Sequence, residues 1–214
     1  MKVYAQLREG WLQVHDIATD SESLLRLHGC EHTALHSKHV AEEAAQLANR
    51  FGIDPICASM AGYLHDISAI IPNHQRIQIA EELRIEILPE ERTFPMIIHQ
   101  KISKAIARDL FSIQDAAVLG AIECHTTLKS QPSRMDLVLF VADKIAWDQA
   151  GTPPYLHQLQ SALDKSIEHA AFVYLSYMWE QREKLRVMHP WLVEAYRDLR
   201  QKNLHLEEGG KTGE

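Results

Sequence analysis

The chain has little cysteine, little glycine and no excess of positive charge. Its three cysteines, Cys30, Cys57 and Cys124, are odd in number and far apart in 214 residues. That excludes a disulfide framework and reads as the reduced thiols of a cytoplasmic protein. No apolar run approaches the ~20 residues that a membrane-spanning helix needs. The start, Met1-Lys2-Val3-Tyr4-Ala5-Gln6, lacks the apolar core of a secretory signal. Lys and Arg total 22 against 29 Asp and Glu, a net charge of −7, which argues against the basic surface of a nucleic-acid binder. A nucleotide substrate stays open, because a bound metal brings its own positive charge. Alternating strand patterns are missing as well; helical periodicity dominates.

The expected fold is therefore all-α, a helical bundle whose 46% hydrophobic content is ordinary for one packed domain. Helices are expected at about 4–15, at about 21–28 behind the caps Asp20 and Ser21, and from His36 to Phe51 with Gly52 as terminator. Ala41, Ala44, Ala45 and Ala48 give the third helix a small-residue face for close packing. Asp54-Pro55 is a cap followed by a first-turn proline and opens the next helix. Others follow from Pro72 to about Leu83, at about 97–110, at about 115–125 behind Asp115 and at about 134–149 behind Ser133, with Leu88 to Pro95 as a loop. Gly151-Thr152-Pro153-Pro154 marks a boundary between a unit at 1–150 and a helical extension at 151–206. The extension holds a long pattern from Tyr155 to about Val187 and a last helix near 191–203. Residues 207–214 read as a disordered tail. Gly209-Gly210-Lys211-Thr212 echoes a phosphate-binding loop, but His205 stands where its first glycine belongs and no strand precedes it.

The chemistry lies in the distribution of some of the 13 histidines. His65-Asp66 ends the apolar run Ile56 to Leu64, and an adjacent imidazole and carboxylate are both good ligands for a divalent metal. Burying Asp66 without a partner costs several kcal/mol, so a metal or a tight hydrogen-bond network must satisfy it. His36 opens a helix, His99 follows Met96-Ile97-Ile98, His125 ends the run Ala116 to Cys124, and Asp143 interrupts Leu137 to Ala142. Each alone reads as well as a cap or a satisfied core polar group. Four His and two Asp on core-facing helices together suggest a metal site inside the bundle. His32 is a candidate second-layer or substrate contact, His39 packing or surface, and Cys124 a small buried hydrophobe rather than a nucleophile. Glu42-Glu43 and Glu90-Glu91 read as solvated faces. Phe172, Tyr174, Tyr177, Met178 and Trp179 read as core or as the seam of a homodimer.

The order His, His-Asp, Asp resembles the HD superfamily of metal-dependent phosphohydrolases, and within it the YqeK-type branch of symmetrical diadenosine tetraphosphate hydrolases. The matching segments are His36 to Ala48, Ala61-Gly62-Tyr63-Leu64-His65-Asp66, Ile98-His99, Ala121-Ile122-Glu123-Cys124-His125-Thr126-Thr127 and Val141-Ala142-Asp143-Lys144-Ile145. The resemblance implies an all-helical HD bundle in which His36, His65, Asp66 and Asp143 hold a metal and Asp66 bridges to a second. It implies that His99 and His125 bind that second ion or the substrate phosphate. It implies iron, with manganese, nickel or cobalt as substitutes, and a small-molecule nucleotide substrate, with no nucleic acid or membrane as partner. Lys144 is a candidate for neutralising phosphate charge, and reads nearly as well as a solvated surface lysine. The chain departs from the branch where Ala69 replaces a Lys, Leu128 replaces a Gly, and Ala146-Trp147-Asp148-Gln149 replaces a segment beginning Glu-Pro. The expected function is metal-dependent hydrolysis of nucleotides, with diadenosine tetraphosphate split to two ADP. The alternatives are a phosphomonoester phosphatase and a module that binds metal and nucleotide without turnover.

Overall fold

Short-range signals set several of the helix ends in the computed structural model, which describes residues 2–209. Among these residues every regular element is helical. In chain order they are α1 (Lys2–Leu7), α2 (Ile17–Leu27), α3 (Glu31–Phe51), α4 (Pro55–Leu64), α5 (Arg76–Glu82), α6 (Pro89–Thr93), α7 (His99–Asp109), α8 (Ala116–Cys124), α9 (Arg134–Ile145), α10 (Leu156–Ala162), α11 (Ile167–Glu180) and α12 (Pro190–Gly209). Single 3-10 turns cover Ile67–Ile70, Asn73–Gln75 and Arg182–Lys184. Asp54, Asp115 and Ser133 cap α4, α8 and α9 as predicted, each accepting backbone N–H groups of the first turn. Gly52 ends α3 in the left-handed conformation, φ 68°. No described helix is long and apolar enough to cross a membrane.

Several expected boundaries shift. The first helix stops at Leu7 rather than near 15, with Gly10 at φ 77° and His15 at φ 63°. The cap of α2 is Asp16; Asp20 lies inside the helix and accepts the N–H groups of Val14 and His15. Pro89–Thr93 is a helical turn rather than loop, and Glu91 is not on a solvated face. It is fully buried, accepts the Leu88 N–H, and pairs with Lys101 Nζ at 3.0 Å and His189 Nε2 at 3.4 Å. The Tyr155 to Val187 pattern is interrupted between α10 and α11, where Ser166 caps the second helix. α9 ends at Ile145 rather than 149, so Trp147 and Asp148 leave the helix. α12 runs to Gly209, three residues into the segment read as a tail; 210–214, with most of the phosphate-loop echo, lie outside the described residues.

The apolar helix α4 is wedged between α3, α8 and α9, the position that places its C-terminal His65-Asp66 in the interior. Close approach to α3 depends on Gly62. A Cβ there would stand 2.5 Å from Ala41 Cα and 2.7 Å from Ala41 N. The small face predicted for α3 therefore meets a glycine, and the two backbones nearly touch. α11 covers α9, with Tyr174 edge-on to Phe140 at 5.5 Å, while Trp179 and Phe172 stack on Tyr196 of α12 at 4.5 and 5.7 Å. These aromatic residues of α11 thus pack within the chain.

Candidate metal centre

The end of α4 delivers His65, and the chain turns into the 3-10 helix so that Asp66 follows on the same wall. α3 supplies His36, the start of α7 His99, the end of α8 His125, and the last turns of α9 Asp143 and Lys144. All four histidines are buried, at 7% exposure or less for His36, His65 and His125 and 8% for His99. Asp66 sits between two groups whose donor atoms lie within 4.8 Å of one another, His36–His65–Asp66 and Asp66–His99–His125. Asp143 Oδ1 joins the first, 3.2 Å from His36 Nε2 and 3.6 Å from His65 Nε2. All six of the side chains singled out as ligands converge.

Ring orientation decides what this cluster can hold. His65 Nδ1 faces Gly62 O at 2.7 Å, His99 Nδ1 faces Met96 O at 2.6 Å, and His125 Nδ1 faces Ile122 O at 2.9 Å. A carbonyl only accepts, so each of these rings carries a proton on Nδ1 and turns Nε2 inward, the atom through which a neutral ring offers its lone pair. There, His99 Nε2 stands 3.0 Å from His125 Nε2, and both lie 3.1 and 3.4 Å from Asp66 Oδ1. His65 Nε2 is buried with no hydrogen-bond partner, 3.5 Å from Asp66 Oδ2. Imidazole nitrogens and carboxylate oxygens thus converge on one space, where each neutral ring has a lone pair to give a cation. The donor set, imidazole nitrogens with carboxylates, suits a first-row divalent metal.

The electrostatics point the same way. Burial raises the Asp66 carboxyl, but His65, His99 and His125 outweigh it and hold it well below the usual carboxylate range. Burial likewise raises Asp143, and Lys144 together with His36 brings it well below. Burial drives His125 down to about 4, so this ring is neutral and ligand-ready at physiological pH. The surrounding cavity, ≈ 350 Å³, includes Asp66, Asp143 and Asp148 against one lysine, Lys144. An anionic substrate entering such a space needs added positive charge.

Lys144 is buried rather than solvated. It donates to Asp143 Oδ2 and, at 3.4 Å, to His125 O, beneath the rings of Phe140 and Tyr174. His32 stands outside the cluster, its side chain 73% exposed and 3.5 Å from Asp148 Oδ2. His39 is exposed and Cys124 fully buried, as expected. Sequence reasoning missed Thr126, whose Oγ1 lies 3.1 Å from His99 Nε2, and Arg76, which donates to the same Met96 carbonyl that receives His99 Nδ1. It also missed Tyr155 and Tyr174 as cavity walls. Thr126 had a signal, its place beside His125; the tyrosines come from the extension and had none.

A family model described as HD domain matches residues 33–148. The chain belongs to the HD domain family. Leu128, where the resemblance to the YqeK-type branch expects Gly, adopts φ 56°, in the left-handed region that favours glycine, with its side chain fully buried. The chain is 49% identical over 142 residues to a Lactococcus lactis subsp. cremoris protein named as uncharacterized, in the pepC 5′ region, covering 66% of this chain and 72% of that one. It is 31% identical over 140 residues to the symmetrical bis(5′-nucleosyl)-tetraphosphatase of Staphylococcus aureus, covering 62% of this chain and 70% of that one. A solved structure from Clostridium acetobutylicum, described as a predicted HD superfamily hydrolase involved in NAD metabolism, superposes with a TM-score of 0.79. It is 24% identical, and the match covers 89% of this chain and 99% of that one, which shows the shared helical fold.

Proposed function

We propose that this HD domain is a divalent-metal-dependent symmetrical bis(5′-nucleosyl)-tetraphosphatase that splits diadenosine tetraphosphate into two ADP. Membership of the family and the tetraphosphatase names of its relatives make it a hydrolase of phosphoric anhydride bonds. The observation that carries the reading is the inward cluster of imidazole Nε2 atoms around Asp66. In this reading His36, His65, Asp66 and Asp143 would hold one ion, and Asp66, His99 and His125 would hold a second. Iron is the proposed metal, with manganese, nickel or cobalt as substitutes. Divalent ions bound at such a site polarise a phosphoryl oxygen and acidify water for attack on phosphorus.

The chain's own groups do the rest. The carbonyls of Gly62, Met96 and Ile122 lock three rings in the ligating tautomer. Lys144 anchors Asp143 and brings the cavity its own cation. The extension at 151–206 completes the wall of the unit at 1–150, since Tyr155 donates from its hydroxyl to Lys144 O at 3.3 Å and Tyr174 lines the same cavity. Trp147, 38% exposed on that wall and edge-on to Tyr155, is the platform for a nucleobase. Stacking of a base on an aromatic ring contributes ~1–3 kcal/mol. Trp147→Ala is therefore expected to raise KM for the dinucleotide roughly tenfold or more with kcat nearly unchanged; an unaltered KM in steady-state kinetics removes the platform.

The substrate is tested by incubating iron- or manganese-loaded protein with diadenosine tetraphosphate and separating the nucleotides. ADP as sole product is expected. Turnover of a mononucleotide but not of the dinucleotide moves the assignment to a phosphomonoester phosphatase. Absence of turnover on any phosphate ester by fully metallated protein leaves a binding module.

A further inference from the structure

Three of the four inward histidines have a carbonyl that receives the Nδ1 proton, and His36 does not. Its Nδ1 is buried without a hydrogen-bond partner, while its Nε2 faces Asp143 at 3.2 Å. For Nε2 to offer a lone pair to a cation, the ring proton must sit on Nδ1, and a buried N–H needs an acceptor. A carboxylate oxygen, Asp148 Oδ2, stands 3.8 Å from that atom, just outside hydrogen-bond distance. Asp148 lies in the non-helical stretch after α9, so a shift of under ~1 Å that needs no helix to move brings it into bonding range. The same oxygen lies 3.5 Å from His32 Nδ1, an exposed alternative partner.

We infer that Asp148 is the positioning residue for His36, accepting its Nδ1 proton when Nε2 ligates a metal. This inference rests on the proposed metal centre. It gives a role to a residue in the segment where the chain departs from its branch, and makes His32 the group that competes for the same carboxylate. A carboxylate behind a ligating imidazole fixes the tautomer and raises the basicity of the ligand nitrogen, and losing such a partner typically costs ~10–100-fold in metal affinity.

The test uses the full chain stripped of metal by chelation and titrated with Co²⁺. Asp148→Ala is expected to weaken the tighter-affected Co²⁺ site by about 10–100-fold. Asp148→Asn, which keeps an acceptor oxygen without the charge, is expected to lose clearly less, and Asp148→Glu to recover part of the loss. In proton NMR of the Co²⁺-loaded protein, one hyperfine-shifted exchangeable imidazole N–H signal is expected to vanish in Asp148→Ala. Unchanged melting of the metal-free variants shows that folding is intact. Affinity within twofold of wild type and a full set of N–H signals in Asp148→Ala overturns the inference alone. An Asn variant as weak as the Ala variant overturns it too, since only charge is then at work. Wild-type protein that takes up no Co²⁺, Mn²⁺ or Fe²⁺ overturns the metal centre and the inference with it.

Discussion

Asp66→Ala is expected to lose metal binding and to lower phosphohydrolase turnover by at least about 10³-fold while the helical fold persists. The size follows from position. Asp66 belongs to both groups of the centre, so one truncation strips a ligand from each proposed ion. Metal-based charge stabilisation amounts to several kcal/mol in the transition state, and about 4 kcal/mol is already a thousandfold in rate. The fold survives for a different reason. The buried apolar layer of Leu64, Ile67, Ile102, Ile122, Val138 and Phe140 makes no use of the carboxylate. The carboxyl's contribution to metal-free stability has a definite sign: its pKa is held below the ordinary value, so the contribution is present above pH ~4 and disappears as pH falls toward the depressed value. Thermal melts with and without Mn²⁺ make the case without an activity assay. A ligand at 100 times its Kd stabilises by about 2.7 kcal/mol, or roughly 5–10 °C for a domain of this size. Wild type should show that shift and Asp66→Ala should not. A mutant with wild-type turnover or an undiminished metal shift contradicts the proposed centre.

Gly62→Ala is expected to lower Tm by about 6–12 °C and to cut activity sharply although Gly62 touches no substrate. The added Cβ would fall 2.5 Å from a backbone atom of Ala41, where no rotamer change relieves it. Overpacking of this kind costs about 1–3 kcal/mol, occasionally more, and the upper end converts to the stated shift. Relief requires α4 to move away from α3. That movement separates His65 from His36, whose ring centroids are 5.2 Å apart, and pulls at Gly62 O, the carbonyl that holds the His65 tautomer. The loss should therefore appear in metal affinity as well as in melting. Differential scanning calorimetry and Co²⁺ titration check both; wild-type stability with wild-type affinity would mean that the two helices tolerate a wider spacing.

The sequence by itself determined the helical class, the starts of α4, α8 and α9 and the identity of the clustered side chains. Those depend on local physics: Asp54-Pro55, Asp115 and Ser133 satisfy first-turn N–H groups of their own helices, and the apolar run ending in His65-Asp66 carries His65 into the core, while Asp66, 28% exposed, opens on the cavity. The order His36, His65-Asp66, His99, His125, Asp143 was legible because each lies on or beside an apolar helix that must face the core. Only the tertiary structure decided which ring nitrogen points inward, since that depends on carbonyls at the ends of separate helices and on where those ends meet. It also decided that Lys144 and Glu91 are buried and paired instead of solvated, and that Tyr155 and Tyr174 of the extension wall the cavity. The end of α9 at Ile145 was not legible either. The apolar pattern ran on through Trp147, but the chain leaves the helix there and turns Trp147 and Asp148 toward the site. Periodicity reports the face a residue would present if a helix continued, whereas contacts between distant segments determine whether it does.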